Sequence, residues 1–500
     1  MAQEQSVGIL IAKSALWVVF LRLSVRALGV VSTIVLARLL TPGDFGLVAI
    51  AMSCFALVEL FSEFGFETAI IQNNDATRTD YDTAWTLNII FGLLSSVLLL
   101  TLSDPIAGYY GNENLAPILM AVALLFLVNG SKNVGVLDFQ KNMTFELEFR
   151  LQLLPKLMGF VSTIAIAFYL ESYWALVIGT LIWKVSFNVF SYILHPFRPR
   201  FSLQEFRGLF GFSKWLILNN ALSYFSTRTP ELLLGKLLSP SAAGFFSMAQ
   251  ELITLPTTEL VSYINRASYP AYSRISLTRS HLGRVYAKVM GSIALLALPA
   301  GIGLASIADL LVPVFLGDQW LELIDVTVIL AYAGMFLALS SNAGYVFMAI
   351  GEPRLSVVIS IIRISIFLPL VFFLTHRQGL LGSGYAVLIS ASLVFIISSG
   401  VSLVKININL SDLLGVYLRP LLASVLMYFS LLYSKPLFLE WSGSLGVALL
   451  VMTLLGFSVY CVAIAVLWLV SGRPSGPEKD LLGIIYLKYT NRFSRGNYKA

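Results

Sequence analysis

The sequence predicts an all-α polytopic membrane protein: about fourteen transmembrane helices in two parallel-repeat six-helix lobes, plus two C-terminal helices. Three observations carry this expectation. Of the 500 residues, 57% are hydrophobic and only 12% charged, where a soluble chain carries about a quarter charged. Apolar runs of about 20 residues, enough to cross a hydrocarbon core, recur along nearly the whole length. The chain also repeats itself: LARLLTPGDFGLVA at 36–49 returns as LGKLLSPSAAGFFS at 234–247. Leu36, Leu39, Leu40, Pro42 and Gly46 recur as Leu234, Leu237, Leu238, Pro240 and Gly244, while Arg38 becomes Lys236 and Thr41 becomes Ser239. Each copy ends one apolar stretch and opens the next through a Pro-centred turn. Self-similarity at this spacing marks two related halves, and in a membrane protein that is the layout of a transporter working between two lobes.

The first apolar run, 14–37, contains Arg22 and Arg26 and lacks a small-residue cleavage site, so it reads as a retained helix rather than a signal peptide. The Pro42 turn leads into a second span near 46–71, and spans near 83–103, 115–136, 152–171 and 173–194 complete an N-terminal lobe, 1–200. The second copy of the turn joins spans near 209–235 and 244–265. Four more, near 287–308, 323–349, 355–374 and 381–401, complete a C-terminal lobe, 201–405. Spans near 415–434 and 443–470 form the additional pair within 406–470, and 471–500 is a basic tail. No stretch is long or polar enough for a separate soluble domain. Cys54 and Cys461 both fall inside spans, so neither a disulfide framework nor a metal site is indicated, and no cofactor is expected.

Orientation follows from the basic residues. With fourteen spans, 21 Lys and Arg fall on the face that holds both termini, and four on the other: Arg38, Lys236, Arg377 and Lys435. A bias this strong puts both termini in the cytoplasm, and a missed helix would scramble it. The net charge of +6 therefore reflects topology. Nucleic-acid binding would want basic residues grouped on a folded soluble face, and the sequence has none.

The outer loops are all expected to be short, the longest near 104–114. The sequence shows no phosphate-binding loop, no metal-spaced His/Cys/carboxylate cluster and no Ser/His/Asp arrangement that stands out. The three histidines, His195, His281 and His376, fall in predicted loops. These features point away from an enzyme and toward transport without ATP hydrolysis by this chain.

Intramembrane charges are the sharpest local signal. Arg22 and Arg26 lie one turn apart on the first helix, and Glu59 and Glu63 one turn apart on the second. Folding the two helices back about the Thr41–Asp44 turn sets Arg22 level with Glu63 and Arg26 level with Glu59. Charges at such depth face a partner or a water-filled cavity. Either they are salt bridges that hold a hairpin, or they act at a shared cavity. In the second copy the equivalent positions are Asn220, Tyr224, Thr257 and Val261; the turn is kept and the charges are not, which favours a functional role. The seventh helix brings Lys214, Asn219, Asn220, Arg228 and Glu231, with Pro230 expected to interrupt it, and the eighth brings Gln250, Glu251 and Glu259. Lys156, Lys184 and Arg363 lack an obvious opposing carboxylate, and either line the cavity or snorkel. The candidate set is Arg22, Arg26, Asn219, Asn220 and Arg228 for substrate, and Glu59, Glu63, Glu231, Glu251 and Glu259 for ion coupling or gating.

ARLLTPGDFGLVAIA (37–51) followed by SEFGFETAIIQ (62–72) resembles the first helical hairpin of bacterial polysaccharide flippases, in the branch that exports colanic acid and other capsule or lipopolysaccharide precursors. YPAYSRI (269–275) resembles the cytoplasmic motif after the eighth span of that family. The family belongs to the superfamily of multidrug, oligosaccharidyl-lipid and polysaccharide exporters. The resemblance implies two six-helix lobes around a central cavity in the bacterial inner membrane. It also implies a lipid-linked oligosaccharide substrate, a repeat unit on undecaprenyl diphosphate moved from the inner to the outer leaflet. Polysaccharide polymerase and chain-length machinery would be its partners, together with membrane lipid. One departure stands out: the family often carries an acidic residue in the seventh helix about where this chain has Pro230, and the nearest acid here is Glu231. Arginine suits a diphosphate because its planar fork makes two bonds at once. Protonation of Glu59 and Glu63 would release the arginines and couple export to a proton gradient. Two alternatives are a multidrug or cation antiporter of the same superfamily, which calls for an acid-dominated cavity, and an integral membrane glycosyltransferase or ligase, which calls for larger outer loops.

Overall fold

A computed structural model describes residues 2–60, 65–73, 75–142, 144–275, 279–474, 476, 478 and 479. Side chains are described for these except residues 2–16, 18, 19, 207–219, 279 and 280. The chain packs as two compact units, Met1–Ser247 and Met248–Ala500.

The first unit holds α1 (Ala2–Leu39), α2 (Pro42–Glu59), α3 (Phe66–Gln72), α4 (Arg78–Tyr110), α5 (Leu115–Gly130), the short α6 (Asp138–Lys141), α7 (Phe145–Leu170), α8 (Trp174–Leu194), α9 (Phe206–Leu237) and the start of α10 (Pro240–Thr254). The second holds the rest of α10, α11 (Leu260–Ile275), α12 (Arg279–Phe315), α13 (Ile324–Ser340), α14 (Ala343–Ala349), α15 (Arg354–Ile406), α16 (Leu410–Ser442) and α17 (Leu445–Val470). Among the described residues, each of the fourteen expected spans is mostly helical. Among the described residues, ten helices are long and apolar enough to cross a bilayer, and Leu115–Gly130 with Val134–Lys141, bent by 69°, makes an eleventh. The remaining spans are α9 and the α10–α11 pair, whose polar residues dilute them, and the second half of α15.

Several local expectations are corrected. The loop near 104–114 shrinks to 111–114, because α4 continues through Pro105 to Tyr110. Pro105 forgoes one backbone hydrogen bond inside the helix, and Gly111 at φ 67° stops the helix in the left-handed conformation glycine adopts cheaply. The second span breaks after Glu59, and α3 restarts after Gly65 at φ 71°. The expected loop between the eleventh and twelfth spans is a single kink at Gly379 (φ 59°, ψ −133°) within α15. Pro230 does not interrupt α9, which stays helical across it. The irregularity lies in the eighth span, where Leu255–Glu259 forms a π-helical turn at Pro256.

The repeated turn has a physical cause. Thr41 caps α2: its hydroxyl accepts from the Asp44 N–H at 3.3 Å, while Asp44 Oδ2 accepts from the Thr41 N–H at 2.9 Å. This reciprocal capping box satisfies donors that the helix start leaves open. In the second copy Ser239 Oγ accepts from the Ala242 N–H at 3.2 Å, so the retained hydroxyl is a retained cap. The glycines are retained because the two turns meet. A Cβ on Gly46 would lie 1.7 Å from the Pro240 carbonyl oxygen, and one on Gly244 would lie 2.0 Å from that of Pro42. Each turn thus seats its carbonyl on the other's glycine, a two-fold contact inside the first unit.

The breaks after α5 and α13 carry buried asparagines. Asn133 donates to the carbonyls of Ser191 (3.3 Å) and Phe197 (2.9 Å) and accepts from the Gly135 N–H at 2.9 Å. Asn342 accepts from the Tyr272 hydroxyl at 2.7 Å and donates to Asn265 (2.8 Å) and Ser268 (3.1 Å). Tyr272 belongs to the YPAYSRI segment, whose role in the second unit is therefore to lock α11 to the break between α13 and α14.

Candidate functional site: polar groups within the helical units

In the first unit α1 lies along α7, and α2 lies against α5 and α9. The expected antiparallel pairing of α1 with α2 would have joined Arg26 to Glu59. Among the described residues Arg26 instead makes no ion pair, and its Nε is buried without a hydrogen-bond partner. Arg22 acts electrostatically on Glu148 of α7, a residue the sequence reading missed. Glu148 Oε1 accepts from Gln140 and Gln152, both at 2.9 Å, while its Oε2 is buried without a bond. The aromatic contacts Trp17–Phe149 (5.0 Å) and Phe20–Phe149 (5.5 Å) fix this side of α1. Glu63 lies outside the described residues, as do the side chains of Lys214 and Asn219.

The α2–α9 contact carries a second polar cluster. Glu231 is 1% exposed, and its Oε2 accepts from the Ser53 hydroxyl of α2 at 2.6 Å. Arg228, one turn earlier, reaches both Glu231 oxygens at 3.2 Å while its own side chain stays 42% exposed. Tyr224 donates to the Ser53 carbonyl at 3.0 Å, and Tyr110 of α4 donates to the Leu232 carbonyl at 3.2 Å. Glu231 therefore serves as a buried anchor that holds a half-exposed guanidinium in place. Asn220 is half-buried on the same helix.

A cavity of about 300 Å³ lies between the end of α2, the start of α3, and α4, α5 and α8. Glu59, Glu67, Asn88, Asn129, Lys132 and Lys184 contribute to its wall. Lys132 pairs with Glu67 at 2.6 Å. Lys184 thus shares this space with Glu59, and its ammonium also stands 4.9 Å from the Trp183 ring centre. Lys156 sits over the same ring at 3.9 Å, which a cation over an indole face favours. A wider groove of about 580 Å³ between α5 and α8 is walled mainly by Val128, Val185, Val189 and Ile193. Polar chemistry converges on the smaller cavity. Beyond the spans, burial pushes the His195 imidazole down against the pull of Asp138, whose Oδ2 lies 3.5 Å away.

In the second unit Glu251 is exposed near the end of α10 and Glu259 is half-buried at the π-helical turn. A Cβ on Gly334 of α13 would lie 2.7 Å from Ile253 and 2.8 Å from Thr257, so α13 presses directly on that irregular turn. Arg363, which the sequence left unassigned, has a buried Nε without a hydrogen-bond partner.

Comparison with known proteins agrees with this architecture. The chain is 25% identical over 372 residues to the lipopolysaccharide biosynthesis protein WzxC of Escherichia coli (strain K12), covering 74% of this chain and 76% of that one. It is 22% identical over 307 residues to the succinoglycan biosynthesis transport protein ExoT of Rhizobium meliloti (strain 1021), covering 61% and 62%. Its fold is similar to the lipid II flippase MurJ in an inward closed conformation, with a TM-score of 0.70 at 14% identity over 91% of this chain and 99% of that one. Residues 35–325, more than half of the chain and inclusive of both repeated turns, match the polysaccharide biosynthesis protein family, and the chain belongs to that family.

Proposed function

We propose that this chain is a flippase for lipid-linked oligosaccharides: it moves repeat units carried on undecaprenyl diphosphate across the bacterial inner membrane, by alternating access, for exopolysaccharide, capsule or lipopolysaccharide assembly. The observation that carries this reading is the family match across both repeats, joined to arginines at membrane depth, among them Arg26 with an unsatisfied Nε and Arg228 half-exposed on its Glu231 anchor. A diphosphate needs such cations, and arginine's fork suits it better than lysine. Glu59, Glu231, Glu251 and Glu259 are the acids available for gating, with Glu63 and Asn219 kept in the set on the sequence alone. The repeat supports a division into lobes 1–200 and 201–405, with 406–470 as an added pair and 471–500 as a tail. Both termini face the cytoplasm on the strength of the basic bias, and a polymerase with chain-length machinery receives the product. The chain performs no covalent chemistry in this reading.

The test is genetic and chemical. Deleting the gene should stop surface polysaccharide and leave the undecaprenyl-diphosphate-linked repeat unit on the cytoplasmic leaflet, and plasmid-borne wild type should clear it. Normal polysaccharide with no accumulated intermediate would sink the proposal.

A further inference from the structure

The cavity between α2, α3, α4, α5 and α8 differs in chemistry from the arginines assigned above to the diphosphate. Two glycines belong to its wall. A Cβ on Gly92 would lie 2.6 Å from the Phe126 carbonyl oxygen, and one on Gly130 would lie 2.5 Å from that of Asn88. Helices α4 and α5 therefore meet backbone to backbone, and this seam brings Asn88 and Asn129 to the cavity wall. Both amides are half-buried, and neither side chain has a protein hydrogen-bond partner among the described residues. Each offers two donors and an acceptor to whatever enters the cavity.

Among the described residues, the charges around these amides balance. Glu59 and Glu67 face Lys132 and Lys184, and the Glu67–Lys132 pair is closed at 2.6 Å. A wall with as many carboxylates as ammoniums gives no net attraction to a phosphate. Mixed donors and acceptors around a space of about 300 Å³, at the small end of ligand sites, suit a compact polyhydroxyl group. We propose that this cavity is a saccharide subsite, in which Asn88 and Asn129 bind hydroxyls of one sugar of the carried head group. The diphosphate stays with the arginines outside it. The assignment rests on the flippase reading given above.

The experiment uses the full chain in lipid nanodiscs and two probes: undecaprenyl diphosphate without sugar, and the glycolipid extracted from a strain lacking this gene. In the Asn88→Ala/Asn129→Ala variant, glycolipid affinity should fall at least tenfold, while affinity for the sugar-free lipid stays at the wild-type value. Retained binding of the sugar-free lipid also reports that the variant is folded. Unchanged glycolipid affinity overturns the subsite. An equal loss for both probes at an unchanged melting temperature overturns it too, because the amides then serve the diphosphate. Should the double variant instead lose its thermal transition, the single variants Asn88→Ser and Asn129→Ser keep the subsite testable: loss of glycolipid binding alone supports it, and any other pattern rejects it. A wild-type protein that binds neither probe overturns the flippase reading itself.

Discussion

Arg26 and Arg228 show what a single arginine does in two settings. Arg26 has no carboxylate partner among the described residues, so its positive charge is available to an incoming anion. Arg26→Ala should abolish export at normal membrane levels, and Arg26→Lys should restore only part of it, measured as surface polysaccharide against protein by immunoblot. Adding Glu59→Ala should not rescue Arg26→Ala, since the two do not pair; rescue would mean that the charges form a scaffold. Arg228 is different, because Glu231 is buried beneath it. Arg228→Ala strands that carboxylate and should destabilise the protein by about 2 kcal/mol, less than the loss of a fully buried pair because the guanidinium is half in solvent. Glu231→Gln in the same chain should recover most of that loss in a thermal melt. The identity of these charged residues was legible in the sequence, and their partners were not. Hydropathy shows which residues lie at membrane depth; whether α1 leans on α2 or on α7 depends on packing between helices far apart in the chain.

At the scale of elements, the helices themselves were the most readable layer, since a span needs only length and apolar content. Their ends were less so. Pro105, Gly379 and Gly65 acted opposite to or beyond their local signals, because the surroundings of a membrane helix let a proline sit inside it and a glycine kink leaves no compositional loop. The buried asparagines were hidden for a related reason: a lone Asn after an apolar run looks like loop until its partners are known. Both sit in an Asn-x-Gly sequence, Asn133–Gly135 and Asn342–Gly344, the one signal that could have marked them. Asn342→Ala would leave the Tyr272 hydroxyl and the Asn265 carbonyl unbonded inside the second unit. Such orphaned groups cost about 1–3 kcal/mol each, so the variant should melt well below wild type in detergent. Tyr272→Phe removes one of those bonds and should fall between them. Equal melting temperatures for all three would mean that the network carries no stability.

For the whole molecule, the internal repeat was the feature that made a transporter legible, yet its two copies gave no hint that they touch. They touch at residues that both copies retain: Gly46 receives the Pro240 carbonyl, and Gly244 receives that of Pro42. A contact made from identical turns in opposite senses suits a closure that opens and reseats, because two small glycines and two carbonyls lock by shape and leave few bonds to break. The orientation proposed from the basic residues puts these turns at the outer face, where a lipid-linked sugar must leave. A Cβ at Gly43 would lie 3.4 Å from Ser241 Oγ, so cysteines at these two positions can be bridged. In a chain whose Cys54 and Cys461 are replaced by alanine, Gly43→Cys/Ser241→Cys should export normally under reducing conditions. Oxidation should stop export and trap the lipid-linked repeat unit inside, and a reductant should restart it, with each single-cysteine variant indifferent to both treatments. The crosslink forms only if the turns meet in the membrane, and it blocks only if they must part. Full export from the bridged protein would show that substrate leaves by another route.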